Sequence, residues 1–477
     1  MSERLSALVG GKSMLVSLIV AIAFFMETLD ATIIVTALPQ MARDFGVDPA
    51  RMSMGITAYL MAAACFVTAS GWLADRVGTR TLFAGAIGLF AIASLICGFA
   101  GDFTVFVGGR ALQGAAAAMM SPVGRLVVLR TSEKKDLMRA LSALIWPGLV
   151  APVLGPPLGG WIMAMASWHW IFFVNVPVAL VGIALVLAYV PNEVQTRTKF
   201  DFKGFVLTAL ALACLTYGFD LLGLRDMRHL VIGLGLMTMA GAIGVAALRH
   251  MRAAPAPLVR LDALRVRSFF ISSVTGGVLS RAAISATPFL LPLMFQLAFG
   301  LSPLEAGGML MLYMLANLAM KTITNPIIAR YGIRAVLVWS SLIAGVTIAL
   351  CAFIVPGNHY AFNAAVLALA GAGRSMQLTA ITMVNFADIP PPQRQPASVL
   401  SSLTQQIGMG GGVAVGALLL TLSQAARGAP VLGIEDFRIA LVLAGVMSAS
   451  AAIFYLSLAH DVGDEISGHG KRKGQGA

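Results

Sequence analysis

Runs of about 20 consecutive apolar residues recur from one end of this chain to the other, each long enough to cross roughly 30 Å of hydrocarbon as a helix. They are rich in Leu, Ala, Val, Gly and Met. They lack the two-residue alternation of a barrel strand, so helices are expected rather than a β-barrel. Across the 477 residues, 58% are hydrophobic and 11% are charged. A soluble domain carries about 25% charged residues. In water such a chain has nowhere to hide its apolar surface, so it reads as a polytopic membrane protein.

Fourteen spans are expected, at 14–38, 52–73, 81–100, 103–128, 140–165, 168–190, 203–222, 230–249, 268–298, 304–329, 335–355, 360–386, 397–424 and 438–459. The least marked breaks are those near Gly101-Asp102 and Ser167. With the N-terminus placed in the cytoplasm, 22 of the 33 Lys and Arg residues fall in inside segments and 6 in outside ones. That asymmetry supports an even number of spans with both termini cytoplasmic, as in an inner membrane. One missed helix would put the later loops out of phase and destroy it.

The same asymmetry explains the net charge of +12 without nucleic acid as a partner. Cys65, Cys97, Cys214 and Cys351 are scattered singly in apolar runs and form no disulfide or metal pattern. The basic N-terminus leads into an apolar run too long for a signal-peptide core, so it reads as the first span. No catalytic triad, nucleotide loop or metal-ligand cluster is visible, which argues against an enzyme.

The loop after the second span reads GWLADRVGTR, from Gly71 to Arg80. The loop after the tenth reads NPIIARYGIR, from Asn325 to Arg334. Aligned without gaps, Arg76 meets Arg330, Gly78 meets Gly332 and Arg80 meets Arg334, while Ala329 stands opposite Asp75. Both loops come out on the same side, which implies a parallel repeat about an axis along the membrane normal. The expected organisation is a six-helix bundle at 1–192, an inserted helix pair at 193–266, a second bundle at 267–461 and a cytoplasmic tail at 462–477. Glycines and arginines permit a tight turn at headgroup level. Gly71, Asp75, Arg76, Gly78, Arg80, Arg330, Gly332 and Arg334 are therefore candidates for a conformational latch, or for a purely topological anchor.

Four stretches resemble signature motifs of the major facilitator superfamily: LDATIIVTALP (Leu29–Pro39), GWLADRVGTR, GRALQGAAAAMM (Gly109–Met120) and PVLGPPLGGWI (Pro152–Ile162). Their order resembles that of its fourteen-helix drug–proton antiporters, the EmrB/QacA type, and the MdtD-like exporters within it. The resemblance implies two six-helix bundles, alternating access and multidrug efflux driven by proton entry, with no cofactor beyond the proton gradient. It also implies that Pro152, Gly155, Pro156, Gly159 and Gly160 form the antiporter helix. The partners expected are amphipathic small molecules and membrane lipid. A monomer is expected, and a periplasmic adaptor with an outer-membrane channel could extend the path.

An ionisable side chain within a span is costly, so it tends to face a cavity or a partner. The acids read as lying within spans are Glu27, Asp30 and, near an outer end, Asp220. At 1.5 Å per residue, Asp30 and Arg110 both lie roughly 10–12 Å below the outer surface and can face each other. The family motif puts Gln113 one turn from Arg110. Asp30, Glu27 and Arg110 are thus the proton-coupling candidates, against a static ion pair as the alternative. Glu27 is one turn deeper and suits a relay or a cationic substrate. Arg281, Lys321 and Arg374 have no acid at membrane depth in their own half. Gln113, Arg281, Arg374 and Asp220 are substrate-cavity candidates, and the cations could instead pair across the interface with Glu27 or Asp220. They motivate a competing function, symport or uniport of a small anionic metabolite. Trp168, His169 and Trp170 read as an interfacial belt.

Overall fold

The computed structural model describes residues 12–131, 137–192, 194, 200–222, 227–255, 257, 259–356, 360–390, 393–429 and 431–463. Among them there is no β-strand. The spanning helices are α1 (Lys12–Ile33), α2 (Ser53–Val77), α3 (Thr79–Gly98), α4 (Phe103–Thr131), α5 (Leu137–Met165) and α6 (Asn175–Tyr189). Then come α7 (Phe202–Leu222), α8 (Met227–Ala253), α9 (Gly276–Leu293), α10 (Pro303–Tyr331), α11 (Ile333–Leu350), α12 (Tyr360–Ala387), α13 (Arg394–Ala426) and α14 (Ile434–Leu456). Thirteen of the described helical segments are long and apolar enough to span on their own, and α5 adds a shorter apolar stretch at Val150–Met165. The fourteen-helix architecture expected from hydropathy is present.

Local chemistry explains the breaks. At the weak one near Gly101, α3 stops at Gly98 and the Asp102 carboxylate caps α4, accepting from the Thr104 and Val105 amides at 2.8 and 3.0 Å. Asp and Ser caps satisfy amides that a helix start leaves free. Ser302 does the same for α10 in a capping box with Glu305. The Glu305 carboxyl is drawn into that cap by the Ser302 amide and hydroxyl, both at 2.8 Å.

The helix pairings repeat with an offset of eight elements. α1 packs on α5 as α9 packs on α13, α2 on α4 as α10 on α12, and α3 on α6 as α11 on α14. Two pairings cross between the halves, α2 with α13 and α5 with α10, and they too are related by the offset. The inserted α7 packs on α8, α2 and α13. Its start is tied to the end of α8 by His250 and Asp201, 2.7 Å apart.

The two ends of the molecule differ. At the end carrying Thr36, Ala50 and Phe437, one apolar cluster runs through both halves and includes Ile33, Phe106, Phe289, Phe295 and Leu420. Gln296 of the second half donates to the Thr36 carbonyl of the first at 3.0 Å. At the end carrying Arg76 and Arg330, here called the basic face, Arg125, Lys321 and Gln405 are exposed. The aromatic pair read as one belt also divides: Trp170 is exposed, but Trp168 is buried and donates to the Asp44 carboxylate at 2.6 Å. Its indole N–H found a fixed partner on the chain, so it anchors α6 instead of facing the headgroups.

Candidate functional site

α4 approaches α2 and α3 unusually closely because its motif is spaced by small residues. A Cβ at Gly114 would overlap the Tyr59 carbonyl, and one at Gly109 would come within 2.7 Å of the Cys97 sulfur. Gly155 and Gly159 of α5 likewise leave room for the hydroxyls of Thr32 on α1 and Thr36 in the turn just after it. This packing presses α1, α3, α4 and α6 around one polar cluster in an otherwise apolar bundle.

At its centre are Asp30 and Arg110. Arg110 Nη1 donates to Asp30 Oδ2 at 2.6 Å and to Gln113 Oε1 at 2.7 Å. Gln113 Nε2 donates to Asp30 Oδ1 at 3.2 Å and to Ser94 Oγ at 2.8 Å. Asn175 Nδ2 completes the carboxylate shell, donating to Asp30 Oδ1 at 2.7 Å. Above the pair, the Arg110 guanidinium lies 4.6 Å from the Tyr59 ring centroid. Asp30 and Arg110 are each 1% exposed. A desolvated charge is tolerated only when paired and hydrogen-bonded, and both conditions hold here.

Glu27 belongs to a different contact. Its carboxylate accepts from Ser121 Oγ of α4 at 2.8 Å, and it is half-buried where Asp30 is closed off. Arg125 lies one turn further along α4 towards the basic face. The two acids of α1 are therefore not a shared carboxyl pair.

The second half repeats this frame with a different filling. Gly373-Arg374 and Gln377 on α12 match Gly109-Arg110 and Gln113 on α4. Arg374 lies over the Tyr313 ring at 5.8 Å, as Arg110 lies over Tyr59. A Cβ at Gly371 would overlap the Tyr313 carbonyl as one at Gly114 would overlap that of Tyr59, but Gly114 follows its arginine on α4 and Gly371 precedes its own on α12, so Arg374 lies about two turns nearer the basic face than Arg110. Gln377 Nε2 donates to Ser280 and Ser341 hydroxyls, each at 2.9 Å. Ser280 of α9 is thus the partner of Gln377 as Asp30 of α1 is of Gln113, and it is neutral. Ser280 in turn meets the Tyr455 hydroxyl at 2.9 Å.

The other candidates fall elsewhere. Arg281 is 2% exposed and folds back on its own half, its Nη1 3.5 Å from the Ser272 and Ser273 carbonyls. Those carbonyls sit in a π-helical segment, Ile271–Thr275, where the wider turn frees backbone oxygens. With the Asn385 amide turned to suit its neighbours, its oxygen also accepts from Arg281 Nη2 at 3.2 Å. Lys321 is exposed on α10. The Asp220 side chain lies outside the described residues.

At the basic face, Gly78 and Gly332 end α2 and α10 with φ of +93° and +81°, a region side-chain-bearing residues rarely enter. Gly78 also lies where a Cβ would overlap the Asn192 side chain, just beyond α6. In the second half, Arg334 Nη2 donates to the Leu456 carbonyl at 2.7 Å, at the end of α14. Each turn is therefore tied to the last helix of its own half. Arg76 stacks on Trp72 at 5.3 Å and Arg330 on Tyr331 at 5.5 Å, while Gly71 is exposed and Asp75 and Arg80 are half-buried. Across the halves, a Cβ at Gly160 would lie 2.6 Å from Leu304 Cα, and one at Gly307 would overlap the Pro156 carbonyl. Pro152 is half-buried on the same helix.

Residue-by-residue reading of the sequence left out Ser94, Asn175, Ser121, Tyr59 and Gln377. A signal existed for two of them. Asn175 is a lone amide in an apolar run, and Gln377 belongs to a second copy of the Gly-Arg-x-x-Gln spacing. Among the described residues, no three His, Cys, Asp or Glu side chains are grouped as a metal site would need.

A duplicated helical bundle with a buried charge pair at membrane depth defines a secondary-transporter class of membrane protein, not an enzyme. The Major Facilitator Superfamily profile matches residues 20–249 and 273–475, and the chain belongs to that family. The MdtD protein of Cronobacter sakazakii, named for multidrug resistance, is 37% identical over 403 residues, covering 84% of this chain and 85% of its own. The MdtD of Escherichia coli is 38% identical over 411 residues, 85% of each chain. Among solved structures, a peptide transporter POT superposes with a TM-score of 0.69 at 13% identity, covering 94% of both chains. A D-xylose–proton symporter gives 0.66 at 15% identity, covering 94% of this chain and 97% of its own. The last two likenesses concern the fold alone.

Proposed function

We propose that this transporter exports amphipathic small molecules in exchange for protons, by alternating access between the bundles at 1–192 and 267–461. The observation that carries the reading is the buried Asp30–Arg110 pair, a carboxylate whose charge is held by donors from two other helices. The multidrug-resistance names of relatives covering 85% of this chain support efflux as the direction.

In this scheme the basic face is cytoplasmic. When the opposite face opens, Asp30 takes a proton from outside. The neutral carboxyl no longer balances Arg110, whose charge turns to Gln113 and the Tyr59 ring. The loss of that pairing favours closure of the outer face, the arrangement in which Gln296 meets Thr36 and Gly307 meets Pro156. Glu27, half-buried towards the basic face, carries the proton inward. Asp30 then recovers its pairing and the cycle resets with substrate aboard. The glycines of α5 allow α1 and α10 to rock against it, and the Gly78 and Gly332 turns hold each bundle together as it moves. Neither a cofactor nor a metal takes part.

Everted membrane vesicles test this. Substrate addition should dissipate an imposed pH gradient in wild type, and Asp30→Asn should remove that response while the protein still accumulates in the membrane. Full substrate-dependent proton release by Asp30→Asn would sink the coupling role.

A further inference from the structure

The second Gly-Arg-x-x-Gln run leaves its arginine without an acid. Arg110 and Arg374 share a Gly-Arg-x-x-Gln run and a tyrosine ring near the guanidinium, with Arg374 about two turns nearer the basic face. The difference lies in one atom. Arg110 Nη1 donates to Asp30 and Gln113. Arg374 Nη1 and Nε are both buried without a hydrogen-bond partner. Arg110 leaves only Nε so placed. The Gln377 amide, which could have accepted from Arg374, is turned towards Ser280, Ser341 and Ser448. Lys321 on α10 adds a second cation within electrostatic reach of Arg374.

A buried guanidinium without a counter-ion is costly, by several kcal/mol in typical proteins, roughly the 3–5 kcal/mol seen when a buried pair is broken. The cost is recovered when a carboxylate or similar oxyanion arrives, because the fork geometry of Arg matches two oxygens at once. Arg374 is half-buried, so it is reachable where Arg110 is sealed. Arg281 does not compete for such a ligand, since its own backbone and Asn385 engage it.

We infer that an anionic group of the transported molecule binds at Arg374 and supplies the counter-charge that Asp30 supplies to Arg110. The ligand class is an amphipathic monoanion, a carboxylate or equivalent oxyanion on an apolar body. Tyr313 would offer the aromatic contact and Lys321 a second positive charge. This deepens the export reading above and rests on it. It narrows the substrate from any amphipathic molecule to one carrying negative charge.

The test uses the full chain in lipid nanodiscs and two aromatic probes of matched shape and opposite charge, 1-naphthylacetate and 1-naphthylmethylammonium. Wild type should bind the anion at least tenfold more tightly than the cation. Arg374→Gln should weaken anion binding at least tenfold and leave the cation unaffected, with Arg374→Lys retaining part of the affinity. Ser280→Asp, which puts a carboxylate on Gln377 one turn from Arg374, should also weaken anion binding. Equal binding of the two probes by wild type overturns the inference. So does preference for the cation, or an Arg374→Gln protein that binds the anion as wild type does. Melting temperature separates loss of a site from loss of fold. The assay needs no gradient, so failure here leaves the Asp30-dependent proton exchange to stand or fall on the vesicle experiment.

Discussion

Asp30 and Arg110, 80 positions apart in sequence, meet at 2.6 Å with Asp30 also held by Gln113 and Asn175. The pair is so enclosed that either single change strands a buried charge. Arg110→Ala leaves an uncompensated carboxylate in an apolar bundle, which typically costs about 3–5 kcal/mol. Asp30→Asn leaves the Arg110 guanidinium uncompensated and should be destabilising in the same way. Thermal melting in detergent should therefore place both single variants below wild type and Asp30→Asn/Arg110→Gln above either. A double variant that melts no higher than the singles would contradict a tightly desolvated pair.

Glu27 is held by one serine and faces a less enclosed region than Asp30. Glu27→Gln should leave the melting temperature nearly unchanged and slow proton exchange in vesicles by tenfold or more. Ser121→Ala removes a hydrogen bond to a carboxylate, worth about 1.5–3 kcal/mol. It should alter the pH profile of transport without abolishing it. Normal exchange by Glu27→Gln would restrict the proton path to Asp30.

Closure of the Thr36 face depends on atoms that admit no side chain. Gly307→Ala pushes a methyl group into the Pro156 carbonyl across the halves. Overpacking of this kind costs about 1–3 kcal/mol. A bias of that size shifts a two-state population roughly 5- to 150-fold. Spin labels on the facing ends of α5 and α10 should report longer distances in Gly307→Ala than in wild type. An unchanged distance distribution would show that this contact does not hold the face shut.

Gly78 and Gly332 share a positive-φ, extended backbone, with ψ of 145° and 154°, but not the same neighbours. Alanine at either site costs roughly 1–3 kcal/mol for the conformation alone. Only Gly78 also abuts Asn192. Asn192→Ala should therefore rescue part of the melting loss of Gly78→Ala and none of that of Gly332→Ala. No rescue of Gly78→Ala would mean that backbone strain alone accounts for both losses.

Much of this molecule is legible before any coordinates. The apolar runs require helices because hydrocarbon offers backbone amides no partner, so each span must satisfy its own. The duplicated Arg-x-Gly-x-Arg loops announce the repeat, and the depths of Asp30 and Arg110, read at 1.5 Å per residue, put them within reach of each other. Other features depend on azimuth and on neighbours from distant helices, which spacing along the chain does not encode. Glu27 and Asp30 lie three residues apart, yet one turns to Ser121 and the other to Arg110. Arg281 and Arg374 look alike as unpaired cations in the sequence. Packing separated them: a π-helical turn supplies Arg281 with carbonyls, while Gln377 turns from Arg374 to three serines. The sequence by itself determined the helices, their number and the charge they carry, because burial of backbone in lipid leaves no other choice. Only the tertiary structure decided which charges are satisfied, because that rests on which helix faces meet.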